Sequence, residues 1–129
     1  KPTYKAAWRK CQLCLVPMQA FFEPCYESGK AVRTRIGLAD GQPFAVAGMW
    51  REWQEPEGAV SYAFTQITIN ADGHEVMGRM HRPGEEKRSL VIVPTEHYEA
   101  WLECPNPDVA RSFLILSGAH LLESAPMTK

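Results

Sequence analysis

Apolar positions along this chain recur mostly with the period of two that belongs to extended backbone. From Ala31 to Leu38, Val32, Thr34 and Ile36 fall on one side and Arg33 and Arg35 on the other, which predicts a half-solvated strand. Leu13 to Phe22 suits an extended chain that Pro17 either breaks in two or marks as an edge. After the turn signal Ala39-Asp40-Gly41-Gln42-Pro43, Phe44 to Trp53 reads as an apolar strand, and after a polar turn Val60 to Ile69 reads as another. Asn70 to Met80 has no clear period. The polar run Arg82-Pro83-Gly84-Glu85-Glu86-Lys87-Arg88 then leads into a buried strand, Leu90 to Val93.

Helical signals are few and short. Tyr4 to Arg9 suits a helical turn. Thr95 is placed to N-cap an amphipathic helix with Tyr98, Trp101 and Leu102 on one face, Asn106-Pro107-Asp108 starts a second, and Phe113 to Leu116 is a last apolar run. Strands followed by short helices predict an α+β fold, with a curved, barrel-like and largely antiparallel sheet.

Composition narrows this reading. With 129 residues, 45% of them hydrophobic and 22% charged, the chain is long enough for one core, so a single domain over residues 1–129 is expected. The formal net charge of −1 exerts no global pull on polyanions, which confines any such site to a local patch. The basic opening KPTYKAAWRK is not followed by an uninterrupted apolar segment, so neither a signal peptide nor a membrane helix is expected. The expectation is a soluble, cytoplasmic monomer, nucleoid-associated if bacterial. Cys11 and Cys14 form a C-x-x-C, but no second ligand pair accompanies it, and Cys25 and Cys104 are isolated. Buried structural thiols are the simpler reading, with no metal and no cofactor expected.

Candidate chemistry gathers at two places. Glu23 lies in an apolar context, LCLVPMQAFFEP, where burial would raise a carboxyl pKa toward the range of general acid–base work. Alternation equally allows it to point outward from an edge strand. His81 lies between the irregular stretch and the charged loop, and histidine is the commonest proton-transfer side chain. Around it Arg79, Arg82, Lys87 and Arg88 stand against Glu85 and Glu86, four positive charges to two negative. Trp50 and Trp53, with Arg51 between, suit either base stacking or the core and rim of a sheet.

Taken together, these segments resemble the SOS-response-associated peptidase (SRAP) family, whose domain captures abasic sites in single-stranded DNA. The family segment RCLVPADGFYEW is matched by CQLCLVPMQAFFEP over Cys11 to Pro24, and its GLW by Gly48-Met49-Trp50. Its FTIIT and IHDRMPVIL are matched by Phe64 to Thr68, by Met80-His81 and by Arg88 to Val93. The likeness runs from about Tyr4 to Trp101.

The resemblance implies a covalent mechanism. An N-terminal cysteine, exposed by removal of the initiating methionine, would join the ring-opened sugar as a thiazolidine. Glu23 would shuttle protons and His81 would assist ring opening. Thr68 and Arg88 would contact the DNA backbone, with Arg82 as the competitor of Arg88 and Trp50 as a stacking surface. Single-stranded DNA bearing an abasic site is the implied partner, and no obligate protein partner is expected.

This chain departs from the family pattern in three ways. The cysteine and the asparagine of the family's NARxE segment are not among the 129 residues, which leads to the expectation that they form the C-terminal two-thirds of a longer protein. Pro24 stands where a tryptophan is usual, and the stretch between His81 and Arg88 is longer. A second reading is a non-covalent single-stranded DNA-binding module or a degenerate phage-related SRAP relative without catalysis.

Overall fold

The structure is a computed structural model that describes residues Thr3 to Met127. A short helix α1 (Lys5–Arg9) leads into β1 (Leu13–Met18), β2 (Phe21–Cys25), β3 (Val32–Leu38), β4 (Phe44–Gln54) and β5 (Val60–Gln66). Three short strands follow, β6 (Thr68–Asn70), β7 (Arg88–Leu90) and β8 (Ile92–Val93). Helices α2 (Tyr98–Leu102) and α3 (Pro107–Arg111) and a last strand β9 (Leu122–Pro126) complete the chain.

Every ladder among the described residues is antiparallel, as the α+β expectation requires. The barrel-like sheet, however, is not closed. The strands divide into β1-β4-β5 with β8 also on β4, β2-β3-β9, and the pair β6-β7. β4 is the wall between the two halves of the interior, because successive side chains on a strand point to opposite faces. Val46 faces Phe21, Ile36, Met77 and Met80, whereas Ala47 faces Leu13, Val91, Trp101 and Ala110. β4 also bears Gly48, where a Cβ would come within 2.8 Å of the Thr65 carbonyl oxygen and 3.0 Å of Cys14 Sγ, so a side chain there has no room.

Several expectations change in detail. The run Val60 to Ile69 is two strands: β5 pairs with β4, and beyond Ile67 the chain pairs with β7 instead. Leu90 to Val93 is likewise divided between two partners. Pro17 does not break β1; it occupies an edge strand, where its missing N–H is tolerated. The first break comes after Met18.

Thr95 opens a 3-10 turn, Thr95–His97, without capping it, and its hydroxyl donates to Glu96 Oε1 at 3.5 Å. Leu102 is exposed while Trp101 is fully buried, since adjacent residues on a helix are about 100° apart. Asn106 does cap α3, its Oδ1 accepting from Val109 N at 3.0 Å, with Pro107 in the first turn.

Candidate functional site

Among the described strands β2 pairs only with β3, in the register Phe21↔Ile36, Glu23↔Thr34 and Pro24↔Arg33. Alternation puts Glu23 on the same side as the buried Phe21, and across from it Thr34 and Ile36 are buried too. The carboxylate of Glu23 therefore points inward, with a side-chain exposure of only 22%.

The outer edge of β2 is closed by the end of the irregular stretch. Cys25 bridges Met80, and His81 N donates to the Pro24 carbonyl oxygen at 2.7 Å. A strand residue's N–H and C=O point the same way. Pro24 thus lacks its N–H on the side away from β3 and breaks no ladder bond there.

That contact fixes His81 beside Glu23. Its backbone lies in the left-handed region at φ 65°, which costs a non-glycine residue about 1 kcal/mol or more. The imidazole is largely covered, and its Nε2 lies 3.0 Å from the Arg88 carbonyl oxygen and 3.6 Å from Glu23 Oε1. A carbonyl only accepts, so Nε2 carries the proton and Nδ1 of the neutral ring is left with its lone pair. At 3.6 Å the contact with Glu23 is electrostatic rather than a formed hydrogen bond.

Burial pushes the Glu23 carboxyl above the usual carboxylate range, and the nearby imidazole opposes that shift in part. The sign for stability follows. A folded pKa above the unfolded one makes a contribution that is complete below the unfolded value and is lost as pH rises through the folded value. Wild-type thermal stability is therefore expected to decline more between mildly acidic and neutral pH than that of Glu23→Gln. Parallel melting curves across that window would refute the assignment.

Arg88 and Thr68 join the same cluster. On the β6-β7 pair, Thr68 lies next to Leu90, and the Arg88 guanidinium donates to the Thr68 carbonyl oxygen at 2.6 Å and to its Oγ1 at 3.3 Å. It also pairs with Glu86 at 2.9 Å. Hydrogen bonds from Asn70, reinforced at each carboxylate by other partners, hold Asp72 and Glu86 below the usual range, so both are anions here.

Arg82 is exposed, with its guanidinium 5.9 Å from the centre of the Tyr26 ring. Among the described residues it makes no ion pair. Of the two competing arginines, then, Arg88 is engaged within the protein and Arg82 is free to meet an anion.

Trp50 belongs elsewhere. It lines an apolar groove of about 330 Å³ with Cys14, Val16, Pro17, Tyr62 and Phe64, and shares no lining residue with the Glu23–His81 cluster. Tyr62 and Phe64, on the outer strand β5, are 67% and 60% exposed. Burial raises the Cys14 thiol, which makes it a poor nucleophile. Among the described residues no group of three or more His, Cys, Asp or Glu side chains is arranged to hold a metal ion. No described helix is long and apolar enough to cross a membrane.

Sequence reasoning placed Lys87 in the charge cluster around His81 but gave no site role to Asn70 or Asp72, which with Lys87 organise the loop after His81. Only side-chain geometry reveals these roles. The loop turns at Arg82-Pro83-Gly84-Glu85, where Glu85 N donates to the Arg82 carbonyl at 3.1 Å and Gly84 takes φ 87°. Asn70 bonds both Asp72 and Glu86, and Asp72 accepts from Lys87 N at 3.0 Å.

Comparison with known proteins covers nearly the whole chain. The family model SOS response associated peptidase (SRAP) matches residues 1–128. The abasic site processing protein YobE of Bacillus subtilis (strain 168) is 31% identical over 114 residues, spanning 86% of this chain and 49% of the relative. The abasic site processing protein YoqW, from the same bacterium and from Bacillus phage SPbeta, is 32% identical over 78% of this chain and 43% of its own length. The chain thus spans about half the length of these curated relatives.

A crystal structure of a Bordetella bronchiseptica protein superposes with a TM-score of 0.92 at 38% identity, over 98% of this chain and 60% of that one. A Bacteroides thetaiotaomicron protein shares the fold, with a TM-score of 0.85 at 21% identity over 99% of this chain and 54% of that one.

Proposed function

The chain belongs to the SOS response associated peptidase family, and from that premise we propose that its protein processes abasic sites in single-stranded DNA, with Glu23 and His81 as the acid–base pair. The observation that carries this reading is their juxtaposition: an inward carboxylate of raised pKa, 3.6 Å from an imidazole whose proton is fixed on Nε2. The names of YobE and YoqW supply the substrate class.

The chemistry proposed is covalent. The α-amine of an N-terminal cysteine, a residue not among these 129, attacks the aldehyde of the ring-opened sugar. Water leaves and an imine forms, and the cysteine thiol then adds across the C=N bond, its sulfur to carbon and its proton to nitrogen, to close a thiazolidine. An α-amine of pKa about 8 is partly unprotonated at neutral pH, so the attack needs a proton shuttle more than a strong base. Glu23 takes the proton that the amine releases and returns one to the departing hydroxyl. The free Nδ1 of His81 accepts the anomeric hydroxyl proton as the bond to the ring oxygen breaks, and returns it to that oxygen, which leaves as a hydroxyl beside the new aldehyde. Glu23 would also serve the removal of the initiating methionine that exposes the cysteine. Arg82, with Thr68 and Arg88 at the rim, would hold the flanking phosphates, and Trp50 would offer a base a stacking face.

The expected result is a band that survives denaturation when the full-length protein is incubated with single-stranded DNA carrying one abasic site. It should be absent with intact DNA. An unshifted band on the abasic substrate, beside salt-sensitive binding indifferent to the lesion, would replace this reading with a non-covalent DNA-binding module.

A further inference from the structure

Lys87 spends its charge in an uncommon way. Its ammonium donates to two consecutive backbone carbonyls, those of His81 and Arg82, each at 3.1 Å. Among the described residues no carboxylate forms an ion pair with it. The two carbonyls belong to the residue in the left-handed conformation and to the first residue of the turn that follows.

The rest of Lys87 is held as firmly. Its N–H donates to Asp72 Oδ1 at 3.0 Å and its carbonyl accepts from Ala71 N at 2.7 Å, so the backbone is fixed while the side chain reaches back across the loop. Without the ammonium, two carbonyls converging on one point would repel each other, and the left-handed turn at His81 would lose what balances its strain.

We propose that Lys87 is a positioning residue: through the carbonyls of His81 and Arg82 it holds the His81 backbone in the conformation that sets the imidazole between Glu23 and the Arg88 carbonyl. The inference rests on the acid–base reading of Glu23 and His81. It gives the loop between His81 and Arg88 a task, that of a clamp closed by a cation from its own far end. A lysine in a DNA-binding protein has an obvious competing role as a phosphate contact, and the two roles predict different kinetics.

The test compares Lys87→Met, Lys87→Arg and wild type in the full-length protein, with single-stranded DNA bearing an abasic site. For Lys87→Met the single-turnover rate at saturating DNA should fall about tenfold or more, as misplacement of a reacting group does. DNA affinity and its salt dependence should stay unchanged. Lys87→Arg, which keeps the charge and several donors, should restore most of the rate. The reverse pattern overturns the proposal: weaker binding, a salt-dependence slope reduced by about one, and an unchanged rate at saturation would make Lys87 a phosphate contact.

A readout independent of activity is the His81 Nε2–H signal in proton–nitrogen spectra. It should be protected by the Arg88 carbonyl in wild type and Lys87→Arg and exchange rapidly in Lys87→Met. Protection unchanged in Lys87→Met refutes the clamp. If Glu23→Gln and His81→Ala both react as fast as wild type, the acid–base reading fails instead, and the His81 signal still decides the role of Lys87.

Discussion

Glu23→Gln should abolish most of the covalent reaction with abasic DNA while leaving the protein folded and able to bind DNA. The amide has the shape of the carboxyl and fits the same inward position opposite Thr34, so the local packing is kept. What is lost is a carboxyl of raised pKa that can give and take a proton. A positioned general acid–base is worth about 10²- to 10⁴-fold in rate, and the single-turnover rate of adduct formation should fall within that range. The burial that raises the Glu23 pKa also makes its charge costly, so the amide variant should melt no lower than wild type at neutral pH. Adduct formation within about threefold of wild type would remove Glu23 from the mechanism. Aspartate at the same position would keep the acid but shorten its reach by one methylene, and should recover little.

The parts of this site that were legible in the sequence are those where chemistry and local pattern disagree. A glutamate ending an apolar run is such a conflict, and alternation left its direction open. Register decides it, because Glu23 pairs with the buried Thr34 and follows the buried Phe21 by two. His81 was visible as a histidine beside a charged loop, but its left-handed backbone and its bond to Pro24 depend on a bridge between residues 55 apart, which no local signal encodes.

The strands were legible where alternation is clean, as in β3 with Thr34 and Ile36 inside and Arg33 and Arg35 outside. They were not where partners change. The apolar run through Ile67 continues without a break in composition, yet Ile67 N donates to Ala47 O at 3.0 Å and the next residues join β7. β9, with the sequence LESAP, has neither alternation nor β-branched content, and exists because β3 offers it an unpaired edge. The Thr95 cap was the reverse error: the residue type suits a cap, but its hydroxyl turns to Glu96 instead.

Trp101→Ala is expected to be the most damaging single change to the fold. Trp101 is completely buried and packs with Leu13, Ala47, Val91 and Ala110 beneath the first sheet. Its ring meets Phe113 edge-on at 5.8 Å, which ties α2 to the segment after α3. Its Nε1 also donates to the Cys14 carbonyl oxygen at 2.8 Å, a second hydrogen bond to a carbonyl that the register sets opposite Gly48 of β4.

Truncation to alanine therefore opens a cavity and removes a buried hydrogen bond together. Large aromatic-to-alanine changes in cores cost about 3–5 kcal/mol, against a total stability of about 5–15 kcal/mol for a domain. Trp101→Phe refills much of the volume and isolates the second effect, about 0.5–1.5 kcal/mol for the lost hydrogen bond. Denaturant midpoints should fall in the order wild type, Trp101→Phe, Trp101→Ala. Equal midpoints for the two variants would mean that the hydrogen bond to Cys14, and not the packing, is what Trp101 contributes. Because β1 leads directly into β2, the same loss should loosen the strand that aims Glu23, and Trp101→Phe should slow adduct formation less than it lowers stability.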